Sequence, residues 1–174
     1  MQINKKLKIF VNSNKEEEEF LYKKTKEFDF KEFSASEITK LINDMKKIMR
    51  AAQGIGLSAN QVGLPYRFFI AEVPTHEGNK FYAIFNPKIE KLEGKKLELE
   101  EGCLSAPGVY GKAPRYEKII ISGFNRYGKP IKIKAWGLLA HVFQHEIDHL
   151  DGKLFIDKAK ELYKIENQKD VHSI

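Results

Sequence analysis

Gly137-Leu138-Leu139-Ala140-His141-Val142-Phe143-Gln144-His145-Glu146-Ile147-Asp148-His149-Leu150-Asp151 is the stretch on which the reading of the fold turns. Leu138, Leu139, Val142, Phe143, Ile147 and Leu150 point nearly all round a helical wheel, and a helix that is apolar on most sides is a buried one. The pattern predicts a helix over 137–151 in the middle of the protein. His141, His145 and His149 then sit inside the molecule rather than on its surface.

Within this helix, His145-Glu146-Ile147-Asp148-His149 has the HExxH spacing. Two histidines four apart lie on one helical face, about a turn from each other, and can share a tetrahedral ion. Glu146 is rotated off that face by roughly 100°. It therefore reaches past a metal toward a water, where a general base is needed. The competing structural reading is a pair of core histidines with satisfied hydrogen bonds. A His141/His145 pair has the same spacing, but it leaves Glu146 and His149 without roles. His141 is read as a pocket residue or as one that supports a ligand from behind, and Asp148 as a group that orients a ligand.

An HExxH pair needs a third protein ligand. The extended pattern with a further histidine is absent, because Phe155 stands where that histidine belongs. Glu161 and Glu166 are carboxylate candidates, although their lysine-rich surroundings read as a solvated helix over 158–169. Cys103 is the other candidate. A lone cysteine is usually a small buried hydrophobe, but Gly102 before it permits close approach, and His2Cys with an open position is a catalytic arrangement.

Between the N-terminus and this helix the pattern changes twice. Ser13-Asn14-Lys15-Glu16 has capping-box spacing and opens a charged helix to about residue 26, with the run Glu16 to Glu19 as a solvated helix start. Ser34-Ala35-Ser36-Glu37 is a second box. Ile38, Leu41, Ile42, Met45, Ile48, Met49 and Ala52 follow at helical spacing up to Gly54. After the loop Gly54-Ile55-Gly56-Leu57, short β-rich runs appear at 67–73, 81–85, 89–92, 96–100, 118–122 and 131–135.

Length and composition bound the rest. The 174 residues fit one domain, 1–174, and 42 % hydrophobic content suffices for a core. No apolar run suggests a membrane span, no signal peptide is read at the start, and one cysteine needs no oxidising compartment. A cytoplasmic protein is expected. The net charge of +6 comes from lysines spread along the chain, a solvated surface with a weak attraction to anions such as ribosomal RNA.

Three segments together resemble the motifs of peptide deformylases, over about residues 41–157. Gly54-Ile55-Gly56-Leu57-Ser58-Ala59-Asn60-Gln61 is similar to the family's GxGLAAxQ loop, with Ser58 where alanine is usual. Glu101-Gly102-Cys103-Leu104-Ser105 is similar to EGCLS, and Gln144-His145-Glu146-Ile147-Asp148-His149-Leu150 to QHExDHL. The resemblance implies an α+β fold with antiparallel or mixed β-sheets packed around a central HExxH-bearing helix. It implies removal of formate from the N-formyl-methionine of nascent polypeptides, by a divalent metal that is natively Fe2+, with Zn2+, Ni2+ or Co2+ also accommodated. Cys103, His145 and His149 take the ligand roles and Glu146 the acid–base role. Gln61 and the backbone N–H of Leu104 stabilise the oxyanion. Ile55, Gly56, Gly102 and Val142 line the substrate groove. Tyr110, standing where some members carry a substrate-contacting arginine, is placed there too. The implied partners are the formylated peptide and the ribosome near its exit tunnel, not DNA and not a membrane.

Overall fold

Three helices and six strands make up residues 7–165, the part of the chain described by the computed structural model. In chain order the helices are α1 (Lys15–Leu21), α2 (Ala35–Ala51) and α3 (Gly137–Leu150). The strands are β1 (Gly56–Ser58), β2 (Phe68–Thr75), β3 (Gly78–Cys103), β4 (Ala106–Phe124), β5 (Pro130–Trp136) and β6 (Lys160–Lys164). They form one sheet in the order β1-β2-β3-β4-β5, with β6 added to β4, and every strand pairing is antiparallel.

β2 explains why helices occupy both faces of this sheet. Side chains alternate along a strand, and here both sets are apolar. Phe68 and Ile70 join Phe28, Met45, Met49 and Phe85 under α2. Phe69, Ala71 and Val73 join Ile119, Ile121, Phe143 and Ile147 under α3. The fold is thus α+β, with the histidine helix packed on one face of an antiparallel sheet.

α2 begins as its sequence predicts. The Glu37 backbone N–H donates to Ser34 Oγ at 3.3 Å, and Ser34 N–H donates to Glu37 Oε2 at 2.8 Å, a reciprocal cap that contributes about 1 kcal/mol. Ile38, Leu41, Ile42, Met45 and Met49 form its buried stripe. At its far end Arg50 grips Glu72 of β2 with two bonds, of 2.8 and 2.7 Å.

The strand pattern departs from expectation. The runs 81–85, 89–92 and 96–100 are pieces of one 26-residue strand, β3. The register slips where turns are expected, between Phe85 and Lys88 and between Glu93 and Lys96. Asn86 (φ 48°) and Gly94 (φ 78°) absorb the slips as bulges, so the chain kinks without leaving the sheet. β4 is likewise far longer than 118–122, running through Gly108, Gly111 and Pro114.

Both ends of the chain also need correction. α1 stops at Leu21 rather than near residue 26, and Asn14, not Ser13, caps it. The acidic run at its start is not uniformly solvated. Glu17 is buried, accepting Val11 N–H at 2.8 Å and Lys8 Nζ at 2.5 Å. The helix expected over 158–169 is instead the strand β6, as far as residue 165. Its remainder, with Glu166, lies outside the described residues. No helix among the described residues is long and apolar enough to cross a membrane.

Candidate metal centre and active site

α3 supplies two of three converging donors. His145 and His149 project from successive turns, with their Nε2 atoms 3.2 Å apart. Cys103, at the last position of β3, brings Sγ to 3.1 Å from His149 Nε2. All three donor atoms lie within 4.8 Å of one another. Ligands bound at ~2.0–2.3 Å around a tetrahedral ion stand ~3.3–3.7 Å apart. One thiol and two imidazole nitrogens at these spacings, one of the rings fully buried, suit a borderline-soft divalent ion.

A buried charge network fixes the His145 ring. Its Nδ1 donates to Glu101 Oε2 at 2.8 Å, which leaves Nε2 as the free lone pair facing Cys103. Glu101 is only 5 % exposed and accepts three further bonds, from Arg115 Nε (2.5 Å), Arg115 Nη2 (2.9 Å) and His141 Nε2 (2.8 Å). Burial by itself pushes the pKa of this carboxyl up, but the donors from Arg115, His141 and His145 outweigh it and hold the group well below the usual carboxylate range. Asp148 does not touch a histidine. It binds Arg115 Nη1 and Lys158 Nζ, and so anchors the arginine that anchors Glu101. His141 lies in this network rather than in the donor triangle.

Glu146 is 2 % exposed. Ser58 Oγ lies 2.7 Å from its Oε2 and 2.8 Å from its main-chain oxygen. Burial pushes the Glu146 carboxyl up to about 7, against the opposing pull of His145 and Ser58. Its other oxygen, Oε1, comes so close to Gly56 that a Cβ there would stand 2.2 Å away. Glycine is required at that position by close approach alone.

Gln61 sits in a short 3-10 turn, Ala59–Val62. Its Oε1 accepts the Ser58 N–H at 2.9 Å, which turns its amide nitrogen toward Ser105 Oγ (3.1 Å) and Cys103 Sγ (3.5 Å). Cys103, Gln61, Leu104, His145 and Glu146 line a cleft of about 800 Å³. Ile55, Gly56, Gly102, Tyr110 and Val142, all expected in the groove, line it too. Glu161 does not approach: it lies on β6, bound to Lys112 Nζ at 2.6 Å.

A family model described as polypeptide deformylase matches residues 2–164. The chain belongs to the polypeptide deformylase family. It is therefore an enzyme, a hydrolase that releases formyl groups from the N-termini of nascent polypeptides. A peptide deformylase from Halothermothrix orenii is 50 % identical over 128 residues, covering 71 % of this chain and 81 % of the relative. A crystal structure of a peptide deformylase from Legionella pneumophila, 38 % identical, has a TM-score of 0.78 and covers 88 % of this chain and 86 % of that one. Another, from Synechococcus elongatus in complex with actinonin, is 32 % identical with a TM-score of 0.78 and covers 92 % and 82 %.

Sequence reasoning missed Ser58 as a partner of Glu146, and Arg115 as the group that joins Asp148 to Glu101. One signal was available for the latter. Only four of the 30 basic residues are arginines, and arginine is the cation suited to buried, forked ion pairs.

Proposed function

We propose that residues 1–174 form one catalytic unit that deformylates N-formyl-methionyl peptides in the cytoplasm, with Cys103, His145 and His149 holding ferrous iron. Zinc, nickel and cobalt suit the same donors. The observation that carries this reading is the donor triangle with a buried carboxyl beside it. Such an ion acidifies water toward neutrality and so provides a nucleophile at cellular pH.

The chain's own residues do the remainder. Ser58 occupies Glu146 Oε2 and Gly56 leaves Oε1 open, so Oε1 is the atom that takes the proton from the attacking water. Glu146 then delivers that proton to the departing amine nitrogen, which leaves poorly unless protonated. The amide N–H of Gln61 and the backbone N–H of Leu104 receive the formyl oxygen as it gains charge. Each such donor contributes about 3 kcal/mol in comparable sites.

β1 is the terminal strand of the sheet; Ser58 N–H is taken by Gln61, while Gly56, at the start of the strand, lines the cleft and offers its main chain to the peptide as an added strand. The apolar Val142, Leu138 and Ile55 in the cleft wall receive the methionine side chain. The substrate is met as it leaves the ribosome, toward whose RNA the net charge of +6 draws the chain.

The test is anaerobic purification, a metal assay, and formate detection on formyl-Met-Ala-Ser. Stoichiometric metal with formate release is expected. Internal cleavage of unblocked peptides without formate would mark an endopeptidase instead.

A further inference from the structure

Ahead of α1 the chain passes the active site once. Phe10 N–H donates to the main-chain oxygen of Gln61 at 2.8 Å, and Asn12 N–H to that of Ser105 at 2.9 Å. Alternate residues of an extended chain turn their N–H groups to one side, and the residue between them turns its own to the other. Val11 N–H accordingly finds a different partner, Glu17 Oε2 of α1, at 2.8 Å. The second oxygen of Glu17 accepts Lys8 Nζ at 2.5 Å. Glu17 is 7 % exposed and grips the segment on both sides of Ile9 and Phe10. The Phe10 ring settles on Gly63, where a Cβ would stand 2.5 Å from Cζ, and meets the Phe20 ring edge-on at 5.5 Å. Ile9 and Val11 line the cleft.

This strap joins two loops that are remote in sequence. Gln61 lies in the 3-10 turn Ala59–Val62. Ser105 follows Leu104 in the corner between β3 and β4, 44 residues on. One tie between the loops runs from Gln61 Nε2 to Ser105 Oγ at 3.1 Å. That amide is also the group offered to the formyl oxygen. The strap repeats the tie through main-chain atoms, and so leaves the amide free to follow the oxygen. Donors act on a developing charge from ~2.7–3.1 Å away, and a displacement of about 1 Å can cost ~10²-fold in rate.

We propose that Glu17 is a positioning residue for catalysis. By fastening residues 8–12 it holds the loops of Gln61 and Leu104 at the separation that an oxyanion requires. The proposal rests on the reading of these two groups as the oxyanion donors. Their contact strengthens as charge develops on the oxygen, so the strap's contribution belongs to kcat rather than to KM.

Glu17→Ala frees the strap. On formyl-Met-Ala-Ser, kcat per bound metal falls about tenfold, KM stays within about twofold, and metal content is unchanged. Gln61→Ala by itself costs about 10²-fold or more. In that background Glu17→Ala costs about threefold or less, because a group it positions is gone. Glu17→Gln keeps the volume and one acceptor oxygen, and loses about threefold in kcat. It carries the same comparison should the alanine variant not fold. A Glu17 that merely stabilises α1 gives a different pattern, a lower melting temperature with wild-type kcat per metal. That pattern, a rise in KM alone, or an undiminished loss in the Gln61→Ala background would each overturn the proposal. Wild-type kcat in Gln61→Ala would remove the oxyanion assignment and the strap's role with it. Absence of formate from the unaltered, metal-loaded enzyme would defeat the deformylase reading itself, and this one with it.

Discussion

The two ends of the cleft are built on opposite principles. At the inner end, the Glu101 carboxylate sits 5 % exposed and receives four bonds from three side chains, while Asp148 secures the arginine from behind. At the outer end, Tyr110 leans on a 41 % exposed Tyr163, and Lys112 and Glu161 pair in the open. A charge taken out of water must find partners on every side, whereas a charge at the rim is already solvated. The inner end is therefore all-or-none, and the proposed chemistry depends on it. The outer end can vary by degrees.

The largest effects should come from the inner end. Glu146→Ala is expected to keep its metal, measured by elemental analysis, and to lose about 10³-fold or more in formate release. Cys103→Ala is expected to lose both metal and activity, and a variant that kept stoichiometric metal would remove the thiol from the ligand set. Arg115→Met strips Glu101 of its main counter-charge, at a cost of about 3–5 kcal/mol in urea unfolding. A loss below about 1 kcal/mol would mean that the inner network is no more demanding than the rim.

Next in size, Glu101→Gln keeps the shape of the side chain but weakens its grip on the His145 ring. Metal affinity in competition with a chelator should fall about 10–100-fold. The smallest effect belongs to the rim. Glu161→Ala should leave metal content and melting temperature unchanged, and metal loss there would revive a carboxylate third ligand.

What could be read from the sequence follows the same division. His145, Glu146 and His149 were legible because an i, i+4 pair with an intervening acid is local geometry, set by helical pitch alone. The buried stripe of α2 and its Ser34–Glu37 cap were legible for the same reason. Arg115 was not, because its partners Glu101 and Asp148 lie 14 and 33 residues away. The chain between the expected runs 89–92 and 96–100 reads as a turn, since composition cannot distinguish a turn from a bulge that a neighbouring strand holds in place. Glu17 looked solvated in a run of four glutamates, and only the segment carrying Lys8 and Val11 folding over it makes it an interior group. The strand β6 was missed because Lys160-Glu161-Leu162-Tyr163-Lys164 has no helical or alternating signature of its own. It is recruited by the free edge of β4.

The three-residue strand at the sheet's margin, β1, carries a consequence for timing. A guest that docks by its main chain must present several residues with their amides not yet committed elsewhere. A polypeptide whose first residues have already been drawn into helix or sheet has nothing to offer that edge. Under the proposed strand addition the cleft would accept newborn chains and pass over mature ones, with Gly56 a clock as much as a clamp.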